Sequence, residues 1–172
     1  NTAKALLTEL IGHLRPNDYF NVILFSGDST ALSPQSLAAT EENISRAVQL
    51  MEQQRGSGGT ELLPALQQAM NLPGAQGVSR SIVVVTDGFI SAESDVFDYI
   101  RGNLGRANMF SFGIGSSVNR HLIEGIAKAG MGEPFVITSE SEAEATALRF
   151  REYIQSPVLT DVSVRAVGFE VY

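Results

Sequence analysis

Three short segments of this 172-residue sequence hold residue types that could bind or transform a ligand. Arg55-Gly56-Ser57-Gly58-Gly59-Thr60 is the most glycine-dense stretch. Ahead of a helix, its bare backbone N–H groups could cradle an anion. It lacks the lysine that follows the last glycine of a phosphate-binding loop, which argues against nucleotide binding. Gly113-Ile114-Gly115-Ser116-Ser117-Val118 opens like a dinucleotide fingerprint, but Val118 stands at the third glycine position. The third segment, Thr86-Asp87-Gly88, is the most informative. A carboxylate ending a buried strand is costly to desolvate unless paired, and no lysine or arginine lies close by in sequence. Asp87 therefore reads as a hard-cation ligand, as an acid–base group, or as a turn aspartate bonding the backbone beside Gly88. Thr60 has an equally ordinary alternative as the N-cap of the helix that follows.

Nucleophilic chemistry has less support. The sequence contains no Gly-x-Ser-x-Gly elbow, and His13 and His121 both fall in helical stretches away from these segments. Neither is placed for a Ser–His–Asp arrangement.

The elements that must position these segments follow from periodicity. Ala3 to Leu14 carries Leu6, Leu7, Leu10, Ile11 and Leu14 at helical spacing, with Thr2 as cap and Arg15-Pro16 as stop. Tyr19 to Phe25 is a short apolar run expected to be one buried strand, followed by a loop with a brief edge strand around Thr30 to Leu32. Thr40 opens a helix through Ile44, Val48 and Met51, and Leu62 to Met70 is another. Ser81 to Thr86 lacks alternation, as a strand covered on both faces does. Helix Glu93–Leu104, strand Asn108–Ile114, helix Asn119–Ala129 with Gly130 as its C-cap, strand Pro134–Ile137 and helix Glu140–Ile154 complete the series. This alternation predicts an α/β fold: a doubly wound, mainly parallel sheet with helices on both faces. In such sheets ligands gather outside the carboxyl ends of the strands, where all three segments fall. Ser156-Pro157 breaks the alternation. The division expected is a domain over 1–156 and a β extension over 157–172 belonging to a neighbouring β-rich unit.

Composition narrows the function classes. The hydrophobic share is 44% and the charged share 18%, as in ordinary globular chains. A net charge of −7 and a pI near 4.8 disfavour nucleic acid or anionic membrane as main partner. No apolar run reaches the ~20 residues of a membrane-spanning helix. The sequence has no cysteine, which excludes disulfides, zinc–thiolate sites and cysteine nucleophiles within it.

With its glycine loop at Arg55–Leu62 and Ile82-Val83-Val84-Val85-Thr86-Asp87-Gly88, the sequence strongly resembles a von Willebrand factor A (VWA) domain. Arg15-Pro16-Asn17-Asp18-Tyr19-Phe20-Asn21-Val22, Phe112-Gly113-Ile114-Gly115, Val118-Asn119-Arg120 and Ser156–Asp161 resemble the inter-alpha-trypsin inhibitor heavy chain branch. Bacterial relatives of that branch join the A domain to an N-terminal β-rich VIT domain. The resemblance implies a metal-ion-dependent adhesion site for Mg²⁺ or Mn²⁺, with Thr60 and Asp87 matching two of its ligands. Hard divalent cations take such oxygen ligands. It also implies an Asp-x-Ser-x-Ser loop after a first, central strand. That loop is absent from this sequence, which implies an N-terminal truncation before it, with the remaining ligands upstream of Asn1. The chain alone is then expected to bind the ion weakly or not at all, and to self-associate through exposed strand edges.

The implied function is a non-enzymatic adhesion or interaction domain of an extracellular or cell-envelope protein, recognising an acidic side chain of a protein partner through the ion. Glu61, Phe89 and Ser116 are rim positions near such a contact. Two rivals stand beside it: a metal-assisted hydrolase, and a structural module in which Thr60 only caps and Asp87 only turns. Against the hydrolase, the metal face offers no general base beyond Asp87.

Overall fold

A computed structural model of the chain describes residues 2–26, 28–53, 61–74, 78–87, 93–116 and 118–155. The extension expected over 157–172 lies outside them. The centre of the molecule is a parallel sheet in the order β5 (Ser81–Thr86), β6 (Asn108–Ile114), β7 (Pro134–Ile137). Ile82 pairs with Met109, Thr86 with Gly113, and Gly113 in turn with Val136. The carboxyl ends of the strands thus lie together at one end of the sheet.

The expected two-sided cover of β5 is present, and its residues divide between two cores. Ile82 and Val84 join Leu62, Leu66 and Met70 of α3 (Leu62–Asn71), Phe97 and Ile100 of α4 (Glu93–Gly102), and Leu122 and Ile126 of α5 (Arg120–Ala129). Val83 and Val85 face the other core, which holds Leu6 of α1 (Thr2–Gly12) and Ala143, Ala147 and Phe150 of α6 (Glu140–Gln155). This alternation follows from the two-residue period of a strand. In β6 the large residues Phe110, Phe112 and Ile114 point to the α1/α6 side. On its α5 side stand the small residues Ser111 and Gly113. The buried Ser111 hydroxyl donates to Ile123 O at 2.6 Å. A Cβ at Gly113 would lie 2.4 Å from Val118 Cγ2, so glycine is what lets α5 approach.

The amino-terminal third departs from the sequence expectation. Tyr19 to Phe25 is not one strand. β1 (Tyr19–Phe20) pairs antiparallel with β4 (Leu37–Ala38), and β2 (Ile23–Ser26) pairs antiparallel with β3 (Asp28–Ala31). The break falls at Asn21, whose Nδ2 donates to Ser33 O (2.7 Å) and Gln35 O (3.2 Å) while its Oδ1 accepts from Val22 N. An amide side chain that bonds backbone in this way competes with the strand ladder. Tyr19 is correspondingly 62% exposed rather than buried. A third core, with Ile11, Phe20, Val22, Ala47 and Met51, ties these strands to α1 and α2 (Glu41–Gln53). Among the described residues β2 and β5 share no ladder, although Phe25 of β2 packs on the same core as Ile82.

Helix ends were only partly foreseen. Thr2 lies inside α1, not ahead of it, and α1 stops at Gly12. Thr40 Oγ1 accepts from Asn43 N, and Asn119 Oδ1 from Leu122 N, as N-caps do. Gly130 is the C-cap of α5, as expected, with φ −100°. The left-handed residue is Met131, φ 59°, and Gly132 N donates to Ala127 O at 3.0 Å. That is the six-to-one bond of a Schellman ending, with Met131 as the left-handed residue after the cap. Gly130 is required by space, because its Cβ would lie 2.1 Å from Met109 Cβ.

At the start of α6, Glu142 accepts from Thr138 N (2.8 Å) and Thr138 Oγ1 (2.9 Å). These bonds, the backbone one first, hold the Glu142 carboxyl below its ordinary 4.5. A lowered folded pKa stabilises the fold above the unfolded value and loses that contribution as pH falls through the folded one. Glu142→Gln is therefore expected to lower the melting midpoint near neutral pH, with the gap to the parent closing on acidification below about pH 4. Thermal melts across that range read the difference, and a pH-independent gap would refute the assignment.

Candidate functional site

Asp87 follows directly on β5 and is exposed at the carboxyl end of the sheet. Its neighbour Thr86 is buried. The expectation that Asp87 carries a desolvation cost is corrected: the strand ends at Thr86 as expected, but the carboxylate that follows it stands in solvent. Exposure leaves the carboxylate accessible to an incoming group. Among the described residues Asp87 makes no ion pair, and no cluster of three or more His, Cys, Asp or Glu could hold a metal. Thr60, with the whole Gly56–Thr60 loop, lies outside the described residues, as do Gly88 and Phe89. Helix α3 starts at Leu62 with Glu61 as its flanking residue, which makes no side-chain cap bond. Glu61 and Ser116, the other rim positions, are both exposed.

The same end of the sheet holds a polar link that sequence reasoning missed. Glu93, at the start of α4, accepts from Asn119 Nδ2 at 2.5 Å. Its other oxygen lies 3.8 Å from His121 Nε2. The link fastens the starts of α4 and α5 together. Its members are 26 and 28 positions apart, and the signal available was topological: helices following adjacent parallel strands begin side by side. His121 lies in the first turn of α5 as expected, but its contact with Glu93 puts it at this end of the sheet rather than away from it, with its ring edge-on to Phe97 at 6.0 Å. Gly115, φ 103°, turns the chain out of β6 and donates its N–H to Ile137 O at 2.8 Å. Gly113 serves helix packing.

Asp87 suits a hard divalent cation as one oxygen donor: it is a carboxylate, exposed, and at the ligand-gathering end of the sheet. One carboxylate cannot complete an octahedral site.

An open α/β layer with its ligand-bearing end beyond a parallel sheet defines the structural class. The chain belongs to the von Willebrand factor type A domain family, whose model matches residues 1–134. Human von Willebrand factor A domain-containing protein 5A is 34% identical over 165 residues, covering 94% of this chain and 21% of its own length. The mouse protein 5B1 is 28% identical over 155 residues, covering 90% and 13%. The chain thus spans about a fifth or less of these curated relatives. Among solved structures, the von Willebrand factor type A protein from Catenulispora acidiphila superposes with a TM-score of 0.78 at 20% identity, over 87% of this chain and 36% of that one. BatB from Bacteroides thetaiotaomicron follows at 0.68 and 22%, over 90% and 87%. At such identity these two establish the fold.

Proposed function

We propose that the chain is a protein-interaction domain whose ligand-binding end presents Asp87, with Thr60, to a divalent cation, and through it to an acidic side chain of a partner protein. The observation that carries this reading is the exposed Asp87 carboxylate at the carboxyl end of β5, without an ion pair among the described residues. When bound, Mg²⁺ or Mn²⁺ would supply Lewis-acid affinity for a carboxylate oxygen. Asp87 contributes negative charge and Thr60 a neutral hydroxyl, and a further loop upstream of Asn1 completes the donor set in this reading. The strand leading to that loop would lie between β2 and β5, where the described residues form no ladder. Among the described residues β5 pairs on one edge only, an arrangement that invites pairing between copies.

The same reading places the chain in the VIT-containing branch of the family, bacterial in origin. The β extension over 157–172 is assigned to a neighbouring unit, and the parent protein to the extracellular space or cell envelope. In this reading Asp87 serves as a ligand rather than as a general base.

The test is a thermal melt of the chain extended upstream through that strand, in Mg²⁺ and then in chelator. Binding to the folded state alone should stabilise it by about 2.7 kcal/mol at a hundredfold excess over Kd. Asp87→Ala should abolish the shift. A stably folded extended protein with no Mg²⁺ response would sink the ion-bridge reading and leave the structural module. Turnover lost with Asp87 would favour the hydrolase.

A further inference from the structure

A second recognition surface lies on the flank of the molecule, where α4 and α5 run side by side. Phe97, Arg101 and Leu104 line one wall of a groove there, and His121, Gly125 and Lys128 line the other. His121, Gly125 and Lys128 follow an i, i+4, i+7 spacing along α5, so that wall is about 10 Å or two helical turns long, while Leu104 stands in the turn just past the end of α4. The groove encloses about 430 Å³. Its floor is set by Gly125, where a Cβ would lie 2.2 Å from Phe97 Cζ. Glycine there keeps one wall low and leaves the Phe97 ring at the base.

The far end of the groove is closed by Met131, 79% exposed. Its position is imposed by the fold. Gly130 and Gly132 on either side press against Met109, and Met131 takes the left-handed conformation between them. An apolar side chain is thereby held in solvent beside Leu104, itself 48% exposed. Arg101 and Lys128 are basic, His121 stands 3.8 Å from the Glu93 carboxylate, and no acidic side chain lines the groove among the described residues. Asp98 reaches Arg101 at 2.9 Å, but both side chains are more than half exposed, and such a pair holds its partners weakly. A basic, apolar groove on a chain of net charge −7 selects for an acidic occupant. A second copy seated groove to groove would set Arg101 and Lys128 against their own counterparts, because a two-fold contact repeats the same patch.

We infer that this groove docks an amphipathic helical segment of a partner protein, with apolar anchors toward Phe97, Leu104 and Met131 and carboxylates toward Arg101 and Lys128. Helix-in-groove recognition uses anchors at this spacing. The surface is separate from Asp87, so docking should be unaffected by chelator.

The experiment is fluorescence anisotropy of the full chain with a labelled synthetic helix of about twelve residues, three turns, carrying leucines at i, i+4 and i+7 and flanking glutamates. A second peptide carries lysines in place of the glutamates. The glutamate peptide should bind in a salt-sensitive manner. The double variant Arg101→Glu with Lys128→Glu should weaken it by about tenfold or more, and should bind the lysine peptide better than the parent does. Met131→Asp, a change at an exposed side chain, should weaken both, with the melting midpoint near the parent's. Equal binding of the two peptides, or indifference to the charge reversal, would overturn the inference. So would concentration-dependent dimerisation lost in Met131→Asp without peptide binding, which would make a second copy the occupant.

Discussion

Gly132→Ala is expected to destabilise the domain by about 3 kcal/mol or more, the upper end of the range for overpacking. The added Cβ would lie 1.7 Å from the Met109 carbonyl oxygen and 2.8 Å from its carbon. A side chain met at that distance could change rotamer. A backbone carbonyl cannot, and this one belongs to β6, paired with β5 at Ile82. Relief requires moving the turn after α5 off the sheet, which also loosens Met109 N from Gly130 O. Urea denaturation reads the effect as a lower midpoint at unchanged slope. Gly12→Ala is the control, because nothing lies within 4 Å of a Cβ at that helix end. It should stay within about 1 kcal/mol of the parent. A Gly132→Ala midpoint matching that control would show the turn to be slack.

The second large effect is expected at Phe112. Its side chain is fully buried in the middle of β6. It stacks on Phe135 of β7 at 4.6 Å and 14°, and meets Phe150 of α6 edge-on at 5.3 Å and 87°. Phe150 closes the cluster against Phe110 at 4.9 Å. Truncation to alanine removes the ring on which sheet and helix both rest and leaves a cavity that three aromatic neighbours cannot collapse to fill. The expected loss is about 3–5 kcal/mol, against a typical total of about 5–15 kcal/mol. Phe112→Leu, which keeps most of the volume, should cost clearly less. Guanidinium denaturation of the pair separates the two, and equal losses would mean that ring geometry, not cavity volume, governs the site.

Both positions show where sequence reading stopped short. Gly130-Met131-Gly132 reads as a helix ending with Gly130 as the C-cap, and Gly130 holds that place. The left-handed conformation falls on Met131, and both glycines pack against Met109, a neighbour about twenty residues earlier that no local pattern names. Tyr19 to Phe25 has the composition of a single strand, yet Asn21 bonds to Ser33 and Gln35 and splits it. Such a bond depends on where the chain returns. Asp87 was legible as a residue at the end of a strand. Its exposure was not, because burial of a strand terminus depends on what packs over it.

The sequence by itself determined the order and type of the main elements and the two-sided burial of β5. These rest on periodicity and on the β-branched run Ile82–Val85, which are properties of the chain read locally. Only the tertiary structure decided which helix starts are joined, through Glu93, Asn119 and His121. It alone matched the rows Phe97-Arg101-Leu104 and His121-Gly125-Lys128 across a groove. The reason is physical: spacing along one helix sets which residues share a face, whereas pairing of two faces is set by the sheet that holds both helices in place.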